Sequence, residues 1–316
     1  MDMTTTLKGS YFETLFPPGW DIERIRNCCS NSPESILEPQ PFWNKGFNPI
    51  SCKTVSDFEV LLGHEIAMQI RIAKEEGREL ILILPVGPMG MYRWTVFFLK
   101  EWNIDCAHVH GFNMDEWSDA QGNTLPSSDP AAFQNAMLKA FYGPLGLLTV
   151  PESQRHFATA EELPQYAQKI AELKQRGARQ ILIFGIGRAC HIAFWEPHFA
   201  LEYATQEEWM AATYRIGARL HPLTIEQNAL TSFRSNYALI PCYANTVGPG
   251  IIFQSDYIIG GADGIFSRGM QWQGMSLWMT LRYGPETCVT SSFIPTLPGK
   301  LFFVQELAGP LCADTN

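Results

Sequence analysis

The chain has 316 residues, 46% hydrophobic and 17% charged, enough to bury the core of one large domain or two small ones. A formal charge of −9 excludes nucleic acid and anionic membrane as principal partners, because both require a basic face. No apolar run approaches the roughly 20 residues of a membrane span, and Met1–Lys8 lacks the basic-then-apolar order of a secretory leader, so the protein is expected in the cytoplasm.

In chain order, residues 1–55 stand apart: rich in Pro, Asn, Ser and aromatics and without a clear period, they are expected as an extension packed on a body spanning 56–316. A helix is predicted from Ser56, as N-cap, to Glu76, with Phe58, Leu61, Leu62, Ile66, Ile70 and Ala73 at three- and four-residue spacing and Gly77 as its stop. Leu80–Leu84 reads as a strand buried on both faces, followed by a Pro-Val-Gly-Pro-Met-Gly turn and a helix over 91–102. Strands over 106–112, 180–184, 256–259 and 301–304 then alternate with helices over 131–141, 161–176 and 267–283. That alternation predicts an α/β fold, a Rossmann-like, open and mostly parallel sheet with helices on both faces. Ligands of such sheets bind at the carboxyl ends of the strands, here after Leu84, Phe112 and Phe184.

Two of those ends carry acid–base side chains. Asn113-Met-Asp115-Glu116-Trp117 follows one strand, and Gly185-Ile-Gly187-Arg-Ala-Cys-His191-Ile-Ala-Phe-Trp-Glu196-Pro follows another. Alone, Asp115 and Glu116 read as a solvated turn with a capping acid. His191 and Glu196, set among apolar residues, must be hydrogen-bonded or used. The eight cysteines have no CxxC spacing, so neither a zinc site nor a disulfide framework is expected. His108 and His110 lack a third ligand at a sensible spacing and are read as structural; Gly185-Ile-Gly187 lacks the third glycine of a dinucleotide loop. Neither a metal nor a cofactor is therefore called for. The apolar stripe Met270, Trp272, Met275, Trp278 and Met279 reads as core or as a subunit contact, the latter making a homo-oligomer.

These two strings resemble motifs of the glucosamine-6-phosphate deaminase/isomerase family, relatives of the 6-phosphogluconolactonases. Phe112–Trp117 is similar to the family's Phe-Asn-Met-Asp-Glu-Tyr, and Gly185–Pro197 to its Gly-Val-Gly-x-Asp-Gly-His-Ile-Ala-Phe-Asn-Glu-Pro. Shorter echoes lie at Leu84–Gly87, Pro126–Phe133 and Thr246–Gly250, in the family's order. The resemblance implies the open sheet shared with ribose-5-phosphate isomerases and CoA transferases. It also implies a cofactor-independent conversion of an amino-sugar phosphate, or a related sugar, to a ketose with release of ammonia. Asp115 would be the proton-transfer base, His191 the ring-opening group and Glu196 its support, with Gly87, Glu116, Gly185, Gly187 and Arg234 at the substrate.

The departures are local. Where the family motif has an aspartate two residues before the histidine, this chain has Ala189, and Cys190 replaces the next glycine. Pro88 offers no N–H to a phosphate, Phe233 stands where an arginine is expected beside Arg234, and Gly261–Gly264 contains no lysine, with Arg268 nearby but out of register. Arg215, Arg219 and Arg234 are candidates for a replacement anion site. Two further readings stay open: a sugar or sugar-phosphate binding protein of the same fold that has lost catalysis, and a lactonase-like hydrolase. The sequence does not choose the sugar.

Overall fold

The computed structural model describes residues 6–266 and 269–312. Ten strands and nine α-helices lie among them. The strands are β1 (Phe47–Cys52), β2 (Leu80–Leu84), β3 (Val109–Asn113), β4 (Asp115–Ser118), β5 (Arg155–His156), β6 (Arg179–Gly185), β7 (Tyr214–Arg219), β8 (Tyr243–Val247), β9 (Tyr257–Ala262) and β10 (Gly299–Val304). The helices are α1 (Ile22–Cys29), α2 (Val55–Glu75), α3 (Gly90–Glu101), α4 (Phe133–Met137), α5 (Tyr166–Gln175), α6 (Gln206–Ala211), α7 (Pro222–Ser232), α8 (Pro249–Ile252) and α9 (Gly274–Arg282). No described helix is long and apolar enough to cross a membrane.

Seven strands form one sheet in the order β1-β10-β9-β6-β2-β3-β5, every pair parallel, with the helices around it. The interior strand β2, Leu-Ile-Leu-Ile-Leu, is buried at all five positions, as a strand covered on both faces must be. From β2 the chain moves outward through β3 to β5, then returns to β6 and moves the other way through β9 to β10. The loops after β2 and β6 therefore part from each other, and the crevice between them is the switch point where open sheets bind ligands.

Helix α2 shows how local signals set the frame. Its cap is Thr54, not Ser56: the Thr54 hydroxyl accepts the Asp57 N–H at 3.1 Å while the Asp57 carboxylate accepts the Thr54 N–H at 3.0 Å, a reciprocal capping box. Phe58, Leu62, Ile66, Ile70 and Ala73 face the core as expected, but Leu61 lies on the outer side, 43% exposed. Gly63 lets α3 cross closely, since a Cβ there would stand 2.5 Å from the Met91 carbonyl oxygen.

The boundary expected at residue 55 does not divide the fold. β1, within the first 55 residues, is the sheet's edge strand and runs in register with β10 from Phe47–Gly299 to Cys52–Val304. Upstream, α1 packs on α9: Trp20 donates its indole N–H to the Cys288 carbonyl at 2.8 Å, and Arg24 lies 4.0 Å over the Tyr283 ring. Other expected elements shift at their ends. The 106–112 strand starts at Val109, and the helix expected over 131–141 is α4 continued by a wider turn over 138–142. The helix expected from residue 267 begins at Gly274, and residues 267–268 lie outside the described residues. A second sheet, β4-β8-β7, is antiparallel and was not anticipated.

Candidate active site

Four adjacent strands, β9, β6, β2 and β3, deliver their carboxyl ends to one cavity of about 410 Å³, within the range of small-molecule sites. Pro85–Met89 follow β2, Met114 and Asp115 follow β3, Ile186, Gly187 and His191 follow β6, and Asp263–Ile265 follow β9; all line it. Helix α7 closes one side with Gln227, Asn228, Thr231 and Ser232, while Phe133, Phe194, Phe266 and Trp272 supply aromatic surface.

Asp115 and His191, 76 positions apart in sequence, thus share one cleft. The small sheet joins them: Asp115 on β4 pairs with Thr246 on β8, and the Thr246 hydroxyl accepts the Phe194 N–H at 3.0 Å, three residues beyond His191. At the switch point the turns press together, since a Cβ on Gly185 would come within 3.0 Å of the Gly87 carbonyl oxygen. Gln273 ties the β6 and β9 loops, donating to the Ile186 carbonyl and accepting the Gly264 N–H at 2.8 Å.

The turn carrying His191 is tight. Cys190 and Ala193 have φ of 56° and 54°, the left-handed region that favours glycine. Cys190 is fully buried against Met279, at 3.7 Å, and burial pushes its thiol pKa far up, so it is no nucleophile. Gly187 is required by contact: a Cβ there would stand 2.0 Å from His191 Nε2.

Behind the imidazole lies a buried relay that the sequence did not disclose. Thr224 Oγ1, on α7, is 3.1 Å from His191 Nδ1 and donates to Glu196 Oε2 at 3.0 Å. Glu196 is fully buried; its other oxygen accepts the His221 N–H at 3.2 Å, and Oε2 is itself 3.5 Å from Nδ1. A hydroxyl has one proton and the carboxylate only accepts, so Thr224 accepts from Nδ1–H in the neutral ring. Nε2 is then the free lone pair, on the Gly187 side. Ala189, in place of the motif's aspartate, is wholly buried.

Asp115 is 6% exposed, and burial, then the neighbouring Glu116 charge, raises its pKa well above the carboxylate range. Asp263, half-buried on the opposite flank, is raised to about 6, again by burial first and then by Glu59.

Not every expected site residue is here. Glu116 faces away from the cavity because side chains alternate along β4. Its oxygens accept the N–H groups of Trp117 and Phe133, each at 2.9 Å, and of Gln134 at 2.7 Å, tying down the start of α4. Arg234 is exposed in a left-handed turn, φ 51°, and does not line the cavity. Arg215 is held by Glu202 and stacks 3.9 Å from the Phe199 ring. Arg268 lies outside the described residues. Neither Trp195 nor Phe233 lines the site; Phe233 packs 6.3 Å from Trp117, in the apolar cluster that also holds the cavity-lining Phe133 and Phe194. His108 and His110, toward the start of β3, contact the Ile70 carbonyl and Glu79. Thr224, Asp263 and Gln273 carry no signal in their own sequence neighbourhoods, and Trp272, expected in the core or a subunit contact, lines the cavity instead.

Similarity searching agrees with the motifs. Over 185 residues the chain is 29% identical to a glucosamine-6-phosphate deaminase of Caenorhabditis elegans, covering 58% of this chain and 63% of the nematode protein. It is 26% identical over 215 residues to that of Pectobacterium atrosepticum, covering 66% and 74%. No family model matches. A monomeric glucosamine-6-phosphate deaminase described as a missing link of the NagB superfamily superposes with TM-score 0.65 at 20% identity, covering 82% of this chain and 98% of that one. The 6-phosphogluconolactonase of Trypanosoma cruzi gives 0.54 at 16% identity, covering 84% and 97%. The chain is related by sequence to the glucosamine-6-phosphate deaminases and has the fold that they share with the 6-phosphogluconolactonases.

Proposed function

We propose that the cavity carries out a cofactor-independent aldose–ketose isomerisation of an amino sugar with release of ammonia. His191 Nε2 takes the proton of the C1 hydroxyl and returns one to the ring oxygen, opening the pyranose; imidazole suits this exchange near neutral pH. Asp115 takes the C2 proton while a proton of the substrate ammonium passes to the aldehyde oxygen, giving the enol amine, and Asp115 then returns its proton to C1. The C1–C2 enol amine becomes a C2 imine, and water replaces nitrogen to give the ketose and ammonia. Glu196, acting through Thr224, positions the imidazole and stabilises its cation. The observation that carries this reading is the shared cleft of Asp115 and His191.

The test is a screen of amino-sugar phosphates and free amino sugars for ammonia release, with Asp115→Asn and His191→Ala as controls. Release lost in both variants is the expected result; release surviving both removes these residues from the mechanism. A second reading, a sugar-binding protein without catalysis, draws on Ala189, where the motif's aspartate is missing. Binding with no release from any compound selects it.

A further inference from the structure

The two flanks of the cavity differ in what they offer. β9 and β3 are separated by two strands, so Asp263 and Asp115 begin from backbones three strand spacings apart, roughly 14 Å. A hexose lying between them would put its reacting carbons at one carboxyl and its far end at the other. Three features of the Asp263 flank bear on that far end. Asp263 itself lines the cavity, and among the described lining residues there is no lysine or arginine. The N-terminus of α3, the place where backbone N–H groups would hold an anion, is crowded by a carboxylate, although no side chain caps it. Glu59 lies so close that a Cβ on Gly90 would stand 1.9 Å from its Oε1, and Arg93 holds its other oxygen at 3.1 Å. Pro88, in the loop leading into that helix, has no N–H to give.

Resting on the isomerase reading above, we infer that the substrate is an unphosphorylated amino sugar, its ammonium beside Asp115 and its terminal hydroxyl toward Asp263. A phosphate dianion placed at that end would meet the Asp263 carboxylate with no lysine or arginine among the described lining residues, and the nearby Arg93 is already paired with Glu59. A hydroxyl can donate to Asp263 instead, and Trp272 and Phe266 offer faces for the sugar's C–H groups. The ammonium has a chemical task as well. Burial raises the Asp115 pKa above the ordinary carboxylate value, and a cation within about 4–6 Å acts against that shift by favouring the charged form.

The experiment is calorimetric titration of the full chain at pH 7.5 with three open-chain probes: a 2-amino-2-deoxyhexitol, its 6-phosphate, and the hexitol without the amine. The aminohexitol should bind about tenfold or more tighter than either of the others. Asp263→Asn should shrink the gap to the 6-phosphate, and Asp115→Asn the gap to the amine-free hexitol. A 6-phosphate that binds as well or better overturns the inference and leaves the isomerase reading standing. If that tighter binding weakens in Arg268→Ala, the phosphate belongs to that arginine. Equal binding of the two unphosphorylated probes overturns the ammonium contact. If no probe binds and no ammonia is released, the isomerase reading itself falls and the inference with it.

Discussion

Thr224→Val is the substitution that most directly interrogates the buried relay. Valine keeps the shape and removes one hydroxyl. Glu196 Oε2 then loses its 3.0 Å donor in a site with no solvent access, leaving the His221 N–H on the other oxygen. A hydrogen bond to a charged group is worth about 1.5–3 kcal/mol, so unfolding free energy should drop by about that much. His191 Nδ1 must then reach Oε2 itself across 3.5 Å, a shift of some tenths of an ångström toward the carboxylate. Nε2 moves with it, and displacement of a catalytic group costs about 10–100-fold in turnover. Urea unfolding followed by tryptophan fluorescence reads the first number, and ammonia release at saturating substrate reads the second. The change should fall in kcat with little in KM, and Thr224→Ser should restore both. Wild-type stability together with turnover within about twofold of wild type would refute the relay.

Four further outcomes follow from the same geometry. Asp115→Asn should abolish turnover yet stabilise the fold at neutral pH. Burial raises the folded-state pKa of Asp115, so the folded chain holds this proton more tightly and stability declines as pH rises above about 4; an equal wild-type–variant difference at pH 4 and pH 8 contradicts this. For Asp263, with a folded value of about 6 against the ordinary 3.8, the loss is confined to that window. It amounts to on the order of 2–3 kcal/mol, which pH-dependent unfolding of Asp263→Asn against wild type would reveal. Gly187→Ala places a methyl 2.0 Å from His191 Nε2, so turnover should fall about 100-fold or more while near-ultraviolet dichroism stays native. Glu116→Ala should cost about 2 kcal/mol of stability through the three freed N–H groups near α4, and turnover at saturating substrate should remain near wild type.

What the sequence by itself determined is the architecture and the two strings that line the cleft. Runs such as Leu80–Leu84 are apolar at every position, which only a strand covered on both faces tolerates, and their alternation with helical periods leaves a parallel sheet as the solution. Among the elements it missed, β4, β7 and β8 are short and polar at several positions; their pairing is a long-range event that no local period records. That same small sheet registers Asp115 opposite Thr246 and fixes the His191 turn to it. Glu116 was misplaced for a related reason: adjacent residues of a strand point to opposite faces, and β4 was not recognised as a strand. Thr224 stands 33 residues from His191 in an unremarked helix, and nothing in its own neighbourhood marks it as the link to Glu196. Tertiary structure also decided the character of the Asp263 flank. Side-chain identities are fixed along the chain, but which charges share a cavity, and which helix end is crowded by Glu59, depends on strand order and helix crossing alone.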